Sequence, residues 1–277
     1  MILVAGATGN IGSSLLGELR ASGVGPLRGL TRNAARATLP DGVAVVEADL
    51  ARPASLRPAL EGVRSLFLVP HLGPDADILR AARLAGVEHV VSVSSLTVRT
   101  HPHLGPAAEH LAVERLVQDS GMAWTILRPT QFASNALLWA DTIREFGTVR
   151  VAYADTALPT IHPADIASVA RVALTEPGHH GATYELTGPA PLSARQQVAT
   201  IATALGRQVP FAEVSRGEAH AWMVAAFGPE AADAVLDVTG GDVNDELLRV
   251  RDTVSRLTGA PGRSFQQWVA ENVAAFR

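Results

Sequence analysis

Met1-Ile-Leu-Val-Ala-Gly-Ala-Thr-Gly-Asn-Ile-Gly12 decides the fold. Its apolar run, Ile2 to Ala5, suits only a short buried strand. The run stops at Gly6, and Ile11, Leu15 and Leu19 then recur at helical spacing. Glycines at 6, 9 and 12 fit a tight strand-to-helix turn, a close approach of backbone to phosphate, and close packing of helix on strand. Amides left unpaired at the helix start carry partial positive charge that matches a pyrophosphate. Gly6, Thr8, Gly9, Asn10 and Ile11 are therefore candidate phosphate-binding residues. The same three glycines would also serve a purely structural turn, but the flanking strand and periodic helix favour a dinucleotide site.

A chain of 277 residues with 47% hydrophobic content can bury a large core. Net charge is −4 and the isoelectric point is near 6.1, so no broad basic surface recommends nucleic acid or an anionic membrane as partner. Cysteine is absent, which removes disulfides, thiolate chemistry and Cys-ligated metal centres and fits a reducing compartment. No apolar run approaches the ~18–20 residues that span a bilayer, and strand pattern begins at once with no charged leader, so a soluble, cytoplasmic protein is expected. Lysine is absent too: all 23 basic residues are arginine. A Tyr/Lys acid pair, a Schiff base and a phosphate-loop lysine are therefore impossible. Arginine-for-lysine exchange in a GC-rich genome accounts for the bias without a functional cause, and the chemical consequence is the same.

After the first helix, residues 26–31 predict a second strand that runs into Thr31-Arg32-Asn33, with Arg36 close behind. In a dinucleotide fold this point meets the adenosine ribose, where a carboxylate accepts from the 2′-hydroxyl of NAD and an arginine pairs with the 2′-phosphate of NADP. No carboxylate lies between Ser22 and Pro40, so Thr31, Arg32 and Arg36 favour NADP over a merely solvated arginine. Residues 43–47, 65–69, 89–93, 124–127 and 183–186 predict further strands. Helices are expected over 75–85, 107–119 and 164–174, with another carrying Asn135, Leu138 and Trp139, and residues 96–106 read as loop. Short strands alternating with helices give an α/β doubly wound parallel (Rossmann) sheet over 1–187, with ligands beyond the strand C-termini. Asp49, Val69, Pro70, Ser94 and Ser95 fall there. From Gly188 the pattern changes to mostly helical segments at 194–205, 218–227, 229–238 and 265–276, predicting a smaller substrate-binding or lid unit over 188–277.

With Gly6-Ala-Thr-Gly-Asn-Ile-Gly12, Leu30-Thr-Arg-Asn33, Ser92-Val-Ser-Ser95, Glu114, Ile126-Leu-Arg-Pro129 and Leu186-Thr-Gly-Pro189 in view, the chain resembles the atypical short-chain dehydrogenase/reductases. The resemblance is to their NmrA-like branch, which also holds triphenylmethane-dye and quinone reductases, and it is strongest up to about residue 190. It implies NADPH as cofactor, with the Gly6 turn on the pyrophosphate, Arg32 on the 2′-phosphate and Asp49 and Leu50 flanking adenine. Ser94, Ser95 and the segment Pro129 to Phe132, with Pro129, Thr130 and Phe132 as candidates, would line the nicotinamide, and Val69, Pro70 and His110 are further cofactor-binding candidates. It further implies an oxidoreductase, read here as a ketoreductase of a bulky aromatic or polyketide-like molecule, with an angucyclinone ketoreductase of antibiotic biosynthesis as a candidate near relative. A quinone, azo or dye reductase is the second reading, and a non-catalytic NADP(H)-sensing regulator the third.

The chain departs from the wider superfamily at the catalytic pair. Placing Glu114 on the family's helix glutamate puts His110 in the lysine slot and Pro106 in the tyrosine slot, and the two tyrosines, Tyr153 and Tyr184, lie elsewhere. Ser95 sits where a hydroxyl could donate to a developing alkoxide, or could cap the turn after its strand. His101, on a loop, is the other candidate for proton transfer, against an ordinary surface role. His110 would serve the cofactor ribose or pair with Glu114. Asn135, Trp139, Trp222, Met223 and Phe227 are candidates for an apolar substrate pocket, against a plain core role. His162, His179 and His180 have no carboxylates at ligand spacing, so no metal is expected.

Overall fold

The structure, a computed structural model, describes residues 1–277. Strands β1 (Ile2–Val4), β2 (Leu27–Thr31), β3 (Val43–Glu47), β4 (Ser65–Leu68), β5 (His89–Val93) and β6 (Ala123–Pro129), with a seventh strand at Ala182–Leu186, form one sheet. Its order is β3-β2-β1-β4-β5-β6 and then the seventh strand, with every pair parallel. The order reverses at β1, so the crevice a ligand would enter lies beyond the ends of β1 and β4. This is the expected doubly wound α/β sheet.

Alternation along the strands divides the core. Ile2 and Val4 face one side with Phe67, Val91, Val93 and Leu127, against Ile11, Leu15 and Leu19 of α1 (Asn10–Ala21) and the helix Pro163–Thr175. Leu3 and Ala5 face the other side with Leu66, Leu68, Val90 and Ile126, under the helices Asp75–Leu84 and Gly105–Gln118. Because the side-chain period of a strand is two, a run of four apolar residues supplies both layers at once.

The C-terminal segments share a third core with residues that precede position 188. Ala133, Ile143 and Val149 pack with Val198, Ile201, Phe265, Trp268 and Phe276. Arg263 ties this part to the sheet domain: its guanidinium and amide both reach Asp165, at 2.7 and 2.8 Å, and it also reaches Glu18 on α1 at 3.2 Å.

Several local expectations need correcting. Residues 96–106 are not all loop, since Thr97–Thr100 forms a helical turn and the next helix starts at Gly105, with Pro106 in its first turn, where no amide partner is required. Asn135, Leu138 and Trp139 lie on a 3-10 helix, Ala133–Trp139, before a short α-helix Ala140–Phe146. Two small pairings were not anticipated: Val149–Val151 with Phe211–Glu213, and Ala157–Leu158 with Leu192–Ser193. Two or three residues are too few to show a period.

At the opposite end of the sheet from the turn, His89 is buried beside His180, ring centroids 4.5 Å apart, with its Nε2 3.1 Å from Thr125 Oγ1. Burial first, and then the neighbouring His180 and His179, push its pKa down from 6.5 to about 4. The unfolded chain binds this proton near 6.5 and the folded chain only near 4, so the stabilisation is complete above that window and is lost as pH falls through it. The loss should reach up to about 3 kcal/mol. In denaturant unfolding at about pH 7 and about pH 4.5, the stability difference between wild type and His89→Gln should shrink at the lower pH; an unchanged difference would contradict this account.

Candidate active site

The turn after β1 is built as its glycines suggest. Gly6 has a φ of +72°, which a side chain would strain, and the Gly9 amide donates to the Gly6 carbonyl at 2.9 Å. Gly9 caps α1 with no side-chain acceptor, so the first amides of the helix remain open to a ligand. The three glycines differ in what confines them. A Cβ on Gly12 would lie 2.2 Å from the Gly6 carbonyl oxygen, so helix packing alone forbids it. One on Gly9 would meet only that oxygen, at 3.3 Å, so the protein leaves Gly9 room that an approaching phosphate would use.

A 720 Å³ cavity opens on this turn, and Gly6, Thr8, Gly9, Thr31, Arg32, Arg36, Asp49 and Leu50 line it together. Leu30 and Asn33 of the motif Leu30-Thr-Arg-Asn33 complete it, with Ala37, Ala51 and Leu72, which the sequence did not single out. Neither Arg32 nor Arg36 is in an ion pair. Asp49 is committed, accepting from the Ala51 amide at 3.0 Å and from Arg52 Nε at 3.0 Å. Two exposed guanidiniums at the end of β2, with the single carboxylate already paired, fit an adenosine 2′-phosphate. Arg32→Ala should therefore weaken NADPH about ten- to a hundredfold and leave NADH nearly unchanged. Titration with both nucleotides checks this, and equal weakening of both would give Arg32 a loop-supporting role instead. Asn10 lines neither this cavity nor the next.

Beyond the ends of β4, β5 and β6 lies a 390 Å³ chamber lined by Ile11, Val69, Pro70, Ser94, Ser95, His110, Pro129, Thr130, Phe132 and Asn135. Gln131, Leu158, Val238 and Leu247 also reach it. The chamber follows on from the turn through Ile11 and the Val69–Pro70 segment, where a nicotinamide ring would sit if its pyrophosphate lay on Gly9. Ser94 is buried and donates to Glu114 Oε1 at 2.6 Å, while Glu114 also receives Arg128 through Nε at 2.8 Å and Nη2 at 2.6 Å. That triad fixes the ends of β5 and β6 to the helix behind them.

Ser95 Oγ lies 2.7 Å from Thr97 Oγ1 and accepts the Thr97 amide at 3.2 Å. It caps its turn, yet the two hydroxyls carry two hydrogens and share one bond, so one hydrogen remains free to donate into the chamber. His110 does not pair with Glu114. Its Nδ1 lies 3.4 Å from His71 Nε2, with the rings edge to face at 4.8 Å. Burial, with His71 adding to it, pushes the His110 imidazole below its usual range, against the opposing pull of Glu114 and Glu109. His71, missed from sequence, takes a left-handed φ of +63°, and its amide donates to the buried Asp75 at 3.1 Å. Burial raises the Asp75 carboxyl above the usual carboxylate range.

His101 is not brought to the chamber. It is fully buried, with Nδ1 2.8 Å from Thr100 Oγ1 and Nε2 against the Asp242 carbonyl, so it fastens the Thr97–Thr100 turn to the C-terminal part. Trp139, Met223 and Phe227 gather around an adjoining apolar cavity of 370 Å³, and Trp222 stands farther out beneath Arg150, 5.5 Å from its ring centroid.

Comparison with known proteins agrees with this geometry. Residues 6–177 match the NAD(P)H-binding family. A (4-alkanoyl-5-oxo-2,5-dihydrofuran-3-yl)methyl phosphate reductase of Streptomyces griseus is 38% identical, across 100% of this chain and 99% of its own length. An NAD(P)H azoreductase of Xenophilus azovorans is 36% identical, across 100% of this chain and 99% of its own. The solved NADPH-dependent quinone oxidoreductase of Escherichia coli, complexed with NADPH, superposes with a TM-score of 0.78 at 30% identity over 99% of both chains. No helix is long and apolar enough to cross a membrane. The chain therefore belongs to the NAD(P)H-binding family, in the NmrA-like branch of the atypical short-chain dehydrogenase/reductases, and is an NAD(P)H-dependent oxidoreductase.

Proposed function

We propose that this reductase uses NADPH to reduce a bulky, conjugated carbonyl compound, a quinone or an aryl ketone flanked by its own phenol, with no protein side chain acting as the acid. The observation that carries this reading is the chamber's lining: His110 is its single titratable residue, and burial beside His71 favours the neutral imidazole. With no lysine in the chain, Tyr184 bonded to His179 at 2.8 Å and Tyr153 in the adjoining cavity, no group there is a ready acid near neutral pH. Hydride added to an isolated ketone leaves a localised alkoxide that must be protonated at once. A quinone spreads that charge over its ring, so the anion can take its proton from water, and in an aryl ketone a neighbouring phenol supplies the proton from within the substrate.

NADPH bound along the turn supplies hydride at the chamber. The free hydrogen of the Ser95–Thr97 pair orients the acceptor oxygen, and Val69, Pro70, Phe132 and Leu158 keep water from the reacting face. The names of the relatives support a flat unsaturated acceptor, since an oxo-dihydrofuran, an azo bond and a quinone are all conjugated. Loss of reduced-nicotinamide absorbance should be seen with naphthoquinones and hydroxyaryl ketones and be at least about a hundredfold slower with a simple dialkyl ketone, since such a ketone lacks the contribution of a positioned acid. Equal rates would show that the protein does supply one. Nucleotide binding with no turnover across the panel would favour the sensing role.

A further inference from the structure

We propose that the chamber continues outward as a subsite for a long apolar tail, so that the substrate is a conjugated ring carrying an alkyl or acyl chain. The proposal rests on the reading above for the ring's place in the chamber. Gln131, Phe132, Asn135 and Leu158 line both the 390 Å³ chamber and the 370 Å³ cavity beside it. Leu138, Trp139, Val151, Met223 and Phe227 in turn line both that cavity and a 550 Å³ groove at the surface. These shared walls set the three spaces side by side, from the end of the sheet to the surface.

The lining of the cavity and the groove is mostly apolar. Gln131 Nε2 donates to Thr160 Oγ1 at 2.9 Å, and Thr239 Oγ1 donates to the Val235 carbonyl at 2.8 Å, so these polar side chains are turned to the protein. Ala136, Ala152, Ala194 and Ala231 leave width between the larger walls. At the outer end Leu138, Phe146 and Phe227 are 67%, 72% and 49% exposed. Contiguous apolar surface of this kind marks a binding site more often than idle surface. Arg150 is the charge at the rim, and it is already engaged, over the Trp222 ring and 3.5 Å from Glu218. An uncharged chain suits an apolar route whose rim charge is already compensated. A flexible chain can follow a succession of small adjoining spaces more readily than a second rigid ring.

A series of 2-alkyl-1,4-naphthoquinones of increasing chain length tests the subsite, with two readouts. Dissociation constants are measured on the NADP⁺ complex from quenching of tryptophan fluorescence, and kcat/KM is measured from NADPH oxidation. Binding should tighten about two- to fourfold per methylene until the chain emerges at the rim, and then level off. Met223→Trp, which adds bulk at a wall shared by the cavity and the groove, and Leu138→Asp, on the exposed rim, should flatten the slope beyond the chain length that reaches them. A slope in binding without any turnover would uphold the subsite and overturn the hydride-acceptor reading. A flat series with the methyl compound turned over would overturn the subsite and leave that reading standing. The same slope in wild type and in Met223→Trp would place the chain elsewhere. A dimer dispersed by Leu138→Asp, together with a flat series, would show the groove to be covered by a second copy.

Discussion

Replacing Gly9 with valine is expected to weaken NADPH binding by about a thousandfold or more, close to 4 kcal/mol, while changing folding stability by less than about 1 kcal/mol. The two effects separate because different neighbours confine each glycine. Gly9 has φ −85° and ψ 170°, an extended conformation that suits a β-branched residue, and its Cβ would meet the Gly6 carbonyl oxygen at 3.3 Å and nothing closer. A valine there makes one tight contact, which a shift of a few tenths of an ångström relieves, and fills space that a pyrophosphate must enter to reach the helix amides. Gly12 behaves in the opposite way: its Cβ would lie 2.2 Å from backbone, so Gly12→Ala should damage the fold itself. Calorimetric titration with NADPH, run beside thermal melts of both variants, checks the separation. Wild-type affinity in a folded Gly9→Val would move the phosphate away from this turn.

Glu114→Ala is expected to cost about 3–5 kcal/mol of folding stability. Glu114 is 3% exposed and holds three bonds at once, two from the Arg128 guanidinium and one from Ser94. Removing it leaves Arg128, itself 19% exposed, as a charge without its partner between the helix Gly105–Gln118 and the end of β6. The penalty comes from that stranded charge rather than from the pair's own net value, so replacing both partners with apolar residues of similar volume should restore most of the loss. Urea unfolding of Glu114→Ala and of Glu114→Leu with Arg128→Met distinguishes the two. A double variant as unstable as the single would mean that lost packing, not stranded charge, is responsible.

The parts of this architecture that were legible in the sequence are those written locally. β3 and β5 fall on their expected bounds because they are short apolar runs closed by polar or turn residues, and the phosphate turn is a motif of seven adjacent residues. Arg32 and Arg36 were legible because the strand preceding them fixes where they emerge, and both line the 720 Å³ cavity. What the sequence hides is what tertiary packing brings together. Val238 and Leu247 reach the chamber from more than a hundred positions beyond Ser95, and no local period announces them. His71 reads as a turn residue, and its partnership with His110 depends on a left-handed backbone and on the packing of two helices. His101 shows the converse. A histidine followed by Pro102, Gly105 and Pro106 reads as a surface loop, yet it is enclosed because the segment around Asp242 folds over it. The helix carrying Trp139 tightened to 3-10 geometry for a reason no residue in it states, since its ends are set by Phe132 pairing with Ile161 and by the core around Ile143.

The central claim, that no protein side chain supplies the proton, is tested most directly by the double variant Ser95→Ala with His110→Ala. Both line the chamber and can donate to an acceptor oxygen, Ser95 through the hydrogen it shares with Thr97 and His110 through the ring nitrogen not turned to His71. With a naphthoquinone as acceptor and NADPH saturating, kcat should stay within about tenfold of wild type, because only orientation is lost. A fall of about a thousandfold with NADPH affinity unchanged would identify a protein acid and contradict the account.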